Sequence, residues 1–283
     1  TLKPIGRKGA GPGELSNPVS LAITPAGSIL VWDFARRGFV GWSAKGDWLP
    51  TLPFERPGIP NNVYARSDSL LYFSTFGQDS ARLIRYTPAA WTTVEARPQP
   101  PSLLIGKGLC GLVEYRMPPL FTPTLAWTAW GSDFAVSHGT EYQVQLTSAT
   151  GQQVLVAPVK PRPATRQMAI DQLGPSRTVV QGMPACEVSA ERIIDAVGMA
   201  THLPAYQRLV AASPNTLWAI RYAPKGEPGW ADVYERIGGY RGTVALGPAR
   251  PVAFLKNGRM LSVETTEDDV PLVVAYSVSP RPR

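Results

Sequence analysis

Residues 21–49 read Leu21-Ala-Ile23-Thr-Pro25-Ala-Gly27-Ser-Ile29-Leu-Val-Trp-Asp33-Phe34-Ala-Arg-Arg-Gly-Phe39-Val-Gly-Trp42-Ser-Ala-Lys-Gly-Asp47-Trp-Leu49. Four short apolar runs, rich in branched and aromatic residues, are separated by polar, Gly-containing bends such as Pro25-Ala-Gly27. Runs of this length and composition favour strands, and the bends favour antiparallel reversal.

The arrangement recurs. Strong segments are Ile29–Phe34, Leu70–Thr75, Asp133–His138, Leu217–Tyr222 and Arg259–Thr265. Turn signals precede them: Pro25-Ala-Gly27, Ser67-Asp68-Ser69, Gly131-Ser132, Pro214-Asn215 and Asn257-Gly258. Their starts are spaced by 41, 63, 84 and 42 residues, which are one, one and a half, two and one periods of about 42. A shorter strand precedes each segment (21–23, 62–65, 125–127, 209–211, 251–254) and a third follows (39–42, 82–86, 142–146, 232–236, 272–276). A fourth follows in the first four units (47–49, 92–94, 153–155, 242–246).

Four antiparallel strands per roughly 40–45 residues is the pattern of β-propeller blades. One such sheet cannot bury both faces alone, and stacking blades around an axis buries both. The expectation is a single all-β domain over residues 1–283 with five visible blades. A sixth requires a degenerate blade in the 84-residue gap, with Arg177–Gln181 as one strand, or a blade missing from the N-terminus. Residues 1–6 belong to no unit and the last unit lacks a fourth strand. Residues 1–6 are therefore expected to form the outer strand of the last blade and close the ring.

Two stretches break the period. Residues 97–120 are Pro-rich, and residues 157–204 read as a partly helical insertion. Within the insertion Ser189–Ala200 reads as a helix of about three turns, with Ser189 as N-cap and Ile193, Ile194 and Val197 on one face. Residues 164–173 offer a second short helix.

The composition agrees. Of 283 residues 44% are hydrophobic and 17% charged, which supplies a core and excludes a disordered chain. The 29 Pro and 26 Gly exclude a long-helix protein. Net charge is +7, from 21 Arg and 7 Lys against 21 acidic residues. The cations are scattered, many beside Pro, with no basic helix and no aromatic-basic RNA-binding motif, so no nucleic-acid partner is expected. A mildly cationic face for an acidic protein or an anionic membrane surface is the functional alternative. No run of 18 apolar residues occurs, so no transmembrane helix is expected. The opening Thr1-Leu2-Lys3 lacks Met, which suggests a processed, exported chain. Cys110 and Cys186 are candidates for a disulfide or for two free thiols.

Gly6-Arg-Lys-Gly9-Ala-Gly11-Pro-Gly13-Glu14-Leu-Ser-Asn-Pro18, followed by Leu21–Ile23, Pro25-Ala-Gly27 and Ile29–Asp33, resembles the NHL-type repeat over about 30 residues. As a whole the chain looks like bacterial six-bladed propeller proteins related to NHL and TolB-like domains. Leu203-Pro-Ala-Tyr206 before Leu217–Tyr222 fits the entry motif of that group. The resemblance implies the fold and says little of activity. It also implies that Asp33 braces a turn by accepting backbone N–H bonds.

Gly9-Ala-Gly11-Pro-Gly13 lacks phosphate-loop spacing and leads into a strand, so it reads as a turn needing positive φ. His138 and His202 are the only histidines, and no metal motif pairs them. Glu267-Asp268-Asp269 reads as a solvated hairpin tip. Trp42, Trp127, Trp130 and Trp218 read as packing between blades. Trp48, Trp91 and Trp230, placed in turns or at edges, are interface candidates together with Ile193, Ile194 and Val197.

These features point to a non-catalytic extracytoplasmic scaffold, periplasmic and peripheral to a membrane, with other protein subunits as partners and no cofactor. Its setting would be a larger membrane-bound, electron-transfer complex. The alternative is a metal-dependent hydrolase or lactonase with its site in the central funnel, for which Glu14, Asn17, Asn62 and Asp79 are the candidate ligands.

Overall fold

The computed structural model describes residues 6–54, 59–76, 80–100, 103–105, 115–148, 151–174, 177–178, 186–247, 249–265 and 271–278. The chain divides into two compact units, residues 1–99 and 100–283.

The first unit holds two four-stranded antiparallel meanders. One comprises β1 (Pro18–Ile23), β2 (Ile29–Asp33), β3 (Gly38–Trp42) and β4 (Trp48–Pro53). The next comprises β5 (Asn61–Ser67), β6 (Leu70–Phe76), β7 (Ser80–Thr87) and β8 (Ala90–Pro98). β1 runs beside β5, so the sheets stack from their first strands outward. Rings fill the space between them. Phe54 meets Trp32 edge-on at 5.0 Å and both Phe73 and Tyr86 at 5.2 Å, geometry that aromatic quadrupoles favour. The Tyr86 hydroxyl donates to the Pro53 carbonyl at 2.5 Å.

The second unit begins with a two-stranded pair, β9 (Leu103–Ile105) and β10 (Tyr115–Met117). A third meander follows: β11 (Ala126–Trp130), β12 (Asp133–Ser137), β13 (Gln143–Ser148) and β14 (Gly151–Val156). The insertion carries α1 (Arg166–Leu173), the pair β15 (Arg177–Thr178) and β16 (Cys186–Glu187), and α2 (Ala190–Val197). The fourth meander is β17 (Tyr206–Ala211), β18 (Thr216–Arg221), β19 (Gly229–Glu235) and β20 (Gly239–Gly247). The last sheet has three described strands, β21 (Pro251–Phe254), β22 (Met260–Thr265) and β23 (Pro271–Tyr276). β17 lies beside both β11 and β21. Trp130, Tyr142 and Leu155 pack on Tyr206, Leu217 and Tyr234 between the third and fourth sheets. Trp218 and Ile220 pack with Met260 and Phe254 between the fourth and fifth. Trp42, Trp127, Trp130 and Trp218 are all buried; Trp130 and Trp218 pack between sheets as expected, whereas Trp42 packs on Val31 and Val40 and Trp127 meets Phe134 within their own sheets.

Every strand position expected from the repeat is occupied by a strand. Three expectations change. Of the stretch 177–181, the described Arg177 and Thr178 pair with Glu187 and Cys186 in a two-stranded sheet, and the described residues hold five sheets of three or four strands. α2 has two turns, not three, because Gly198 at φ 74° stops it, its N–H closing on the Ile194 carbonyl. Ser189 is its N-cap, accepting from the Arg192 N–H, and Thr165 caps α1 in the same way. Trp48 and Trp91 lie on edge strands, one of the two placements expected, but Trp230 lies on a third strand, neither a turn nor an edge. Residues 1–5, Cys110, Asp79 and residues 267–269 lie outside the described residues, and with them the ring closure and the disulfide.

One position repeats with a purpose. In each blade the residue of the second strand opposite the first residue of the first strand is a polar one: Asp33 opposite Pro18, Ser74 opposite Asn61, Ser137 opposite Ala126, Arg221 opposite Tyr206, and Ser262 opposite Pro251. Asp33, Ser74, Ser137 and Ser262 are buried polar groups, and each hydrogen-bonds the main chain. A buried backbone polar group left unpaired costs about as much as a lost hydrogen bond, so each side chain stabilises the chain's entry into or passage through its blade.

Candidate functional site

In the first blade the brace works as the NHL-like resemblance implies. Asp33 Oδ2 accepts the N–H groups of Ser16 (2.6 Å) and Asn17 (3.1 Å), and Oδ1 accepts that of Arg36 (3.1 Å). Burial alone would raise its pKa; the backbone donors outweigh burial and hold the carboxyl below its ordinary range. The preceding Gly-rich turn is structural. Gly13 adopts φ 69°, and a β-carbon there would sit 3.3 Å from Trp48. Glu14 accepts from Arg7 Nε at 2.6 Å and from the Gly11 N–H at 2.7 Å.

In the fourth blade the equivalent position is Arg221, and the carboxylate comes from Asp232 on the neighbouring strand. Arg221 donates from Nη2 to Oδ1 at 2.6 Å and from Nε to Oδ2 at 3.0 Å, a bidentate pair. Thr243 donates to Oδ1 at 2.6 Å, and the Tyr206 hydroxyl to Oδ2 at 2.8 Å. Tyr206 also shares a 2.7 Å hydrogen bond with Tyr234, whose hydroxyl reaches the Tyr142 carbonyl at 3.3 Å. The Arg221 guanidinium lies 5.0 Å over the Tyr142 ring. Burial pushes the Tyr206 and Tyr234 hydroxyls well above the usual tyrosine range. Asp232 is fully enclosed and accepts from Arg221, Thr243 and Tyr206. Its chemistry is that of a clamp, fixing the start of β17.

That start is the wall of a cleft of about 370 Å³. The chain after the Pro-rich stretch is stitched to the insertion: Leu120 N–H to Gly198 O at 3.0 Å, and Ala200 N–H to Leu120 O at 2.8 Å. Leu203 N–H to Arg162 O, at 2.8 Å, ties the two ends of the insertion together. Arg162 further holds Glu227 by two bonds of 2.8 and 2.9 Å, which keeps that carboxylate below its ordinary range. The cleft is lined by Phe121 and Tyr222, which meet edge-on at 6.0 Å, by Leu173 and Gln172 at the end of α1, and by Pro204 and Tyr206 of the entry motif. Phe121 has φ 60°, a left-handed conformation unusual for a bulky residue. Such residues concentrate at ligand and contact sites.

The candidates from sequence fall into two groups. Trp48, Trp91 and Trp230 are 46%, 42% and 41% exposed, so each presents a large ring to solvent. Ile194 and Val197 are 3% and 1% exposed, packed with Leu120, Phe121, Ala169 and Leu203 in the insertion's own core, and Ile193 packs against the same cluster. Their apolar face is spent within the chain. His202 Nδ1 lies 3.1 Å from the Thr201 hydroxyl. Among the described residues no three His, Cys, Asp or Glu converge. Also among them, no helix is long and apolar enough to cross a membrane.

No family model matches the chain, and no curated protein matches it. Solved structures do. A member of the DUF4221 family from Bacteroides vulgatus aligns over 94% of this chain and 79% of its own, at 11% identity and TM-score 0.53. A Bacteroides fragilis protein designated as exported aligns over 92% of this chain and 70% of its own, at 10% identity and TM-score 0.50. The fold is a β-propeller. Virginiamycin B lyase from Staphylococcus aureus aligns over 94% of the chain and 71% of its own at 9% identity, but its TM-score of 0.39 carries no argument about reaction.

Proposed function

We propose that this propeller is a non-catalytic binding and scaffold module that works outside the cytoplasm, as a peripheral subunit of a larger membrane-bound, electron-transfer assembly. The cleft formed where the two aperiodic stretches meet carries the reading. It is the place where the chain departs from its repeat, and it combines aromatic rings, exposed amide groups and a rigid wall. Asp232, which Tyr206 of the wall hydrogen-bonds, is engaged by Arg221, and Glu227 is engaged by Arg162, which suits a wall for binding better than a proton-transfer centre. Trp48, Trp91 and Trp230 add anchors on the outer part of the blades. The designation of the Bacteroides fragilis protein as exported accords with the location. The metal-hydrolase alternative would need carboxylates with open lone pairs, whereas Glu14 is held by Arg7 and Gly11.

The test is gentle purification of the tagged chain from its native source, with crosslinking and mass spectrometry. Stoichiometric subunits crosslinked at α1 and residues 120–124 support the proposal. A chain recovered alone under these conditions, or metal-dependent ester hydrolysis by the purified chain, contradicts it.

A further inference from the structure

A second concavity, which shares Gln207 with the cleft, opens along the first strands of the fourth and fifth blades. Both strands are bulged at the same level. Gln207 is the extra residue between Tyr206 and Arg208, and Val252 is the extra residue between Pro251 and Ala253. Bulges re-aim side chains and recur beside binding sites. Between them lies a groove of about 440 Å³, within the range of small-molecule sites, lined by Gln207, Arg208, Arg250, Val252, Ile220 and Val263. Among the described residues no acidic side chain lines it.

The two cations differ. Arg250 is held in place: its main-chain N–H donates to Ser262 Oγ at 2.6 Å, and its Nη1 donates to the Ala249 carbonyl at 3.1 Å and to the Gly247 carbonyl at 3.4 Å. A β-carbon at residue 229 would crowd Arg250 Nη1 at 3.3 Å, so Gly229 leaves the guanidinium its place. Arg208 is exposed, and its side chain makes no hydrogen bond or ion pair among the described residues. One fixed and one open guanidinium over a wall of Ile220, Val252 and Val263 is a receptor for an anionic head with an apolar body.

We propose that this groove binds a small amphiphilic anion, its carboxylate or phosphate head held by Arg208 and Arg250 and its alkyl part against Ile220, Val252 and Val263. The inference is independent of the scaffold reading. Titration calorimetry on the whole chain would use hexanoate, hexyl phosphate, acetate and inorganic phosphate as probes. One hexyl probe or both bind at one per chain, and which one binds identifies the head group. The matching tail-less anion binds at least about tenfold more weakly, as loss of buried methylenes requires. R208Q weakens binding about tenfold, R208K by less, and R66Q in the first unit leaves it unchanged. No binding of either hexyl probe to the folded wild type overturns the proposal. So does equal binding by R208Q, equal loss in R66Q, or equal affinity with and without the tail.

Discussion

The first and fourth blades solve one problem with different chemistry. In each, the end of the second strand must hold the chain that enters the blade. The first does so with one carboxylate, Asp33, that accepts three backbone N–H groups. The fourth has Arg221 there, takes its carboxylate from Asp232, and completes the set with Tyr206 and Thr243. A carboxylate satisfied by main chain fixes a turn. A carboxylate satisfied by side chains from three strands also fixes the strands to one another, which is what a rigid wall beside a cleft requires.

The largest expected effect separates the two braces. D232A leaves the Arg221 guanidinium, 19% exposed, without its partner, and should cost about 3–5 kcal/mol in urea unfolding. The double variant R221M/D232L should recover most of that loss, because a well-packed apolar pair avoids the desolvation penalty. A double variant as unstable as D232A would break the comparison.

D33A is expected to cost less, about 1–3 kcal/mol, because the orphaned N–H groups sit at a turn that water can reach. Its pH dependence sharpens the contrast. Asp33's pKa is lowered in the fold, so its contribution is present above the unfolded value of about 3.9 and is lost as pH falls through the folded value. The stability gap between wild type and D33N should therefore close in acid.

Tyrosine gives the opposite sign. The raised pKa values of Tyr206 and Tyr234 mean that their contribution is present below the unfolded value of about 10 and lost as pH rises beyond it. Y206F should cost about 1 kcal/mol at neutral pH and make the alkaline decline shallower, with no such change for a tyrosine exchanged elsewhere on the surface. S74A, which removes a single 3.0 Å bond to the Asn61 carbonyl, should be the mildest change, about 0.5–1.5 kcal/mol.

The strands were legible because period-two apolar runs between bends are local signals, and so was Asp33, whose motif is intact. The braces of later blades were legible only in part. Ser74, Ser137 and Ser262 end or interrupt apolar runs, a signal that could have been aligned with Asp33. The fourth brace was hidden because its acid has moved to another strand; Asp232 alone within Ala231-Asp-Val-Tyr234 is the clue. The face of Ile193, Ile194 and Val197 was visible, but periodicity cannot tell whether an apolar face meets a partner or the chain's own Leu120, Phe121 and Leu203. The cleft depends on hydrogen bonds between residues some 80 positions apart, Leu120 with Gly198 and Ala200, which no local pattern encodes.

The most direct test of the binding proposal is site-specific photocrosslinking in the native host. A photoreactive residue at exposed Gln172, on the rim of the cleft, is compared with one at exposed Arg66 on β5 in the first unit. The account predicts a discrete crosslinked subunit from position 172 and none from position 66. Crosslinking from position 66 alone, or from neither position, would contradict it.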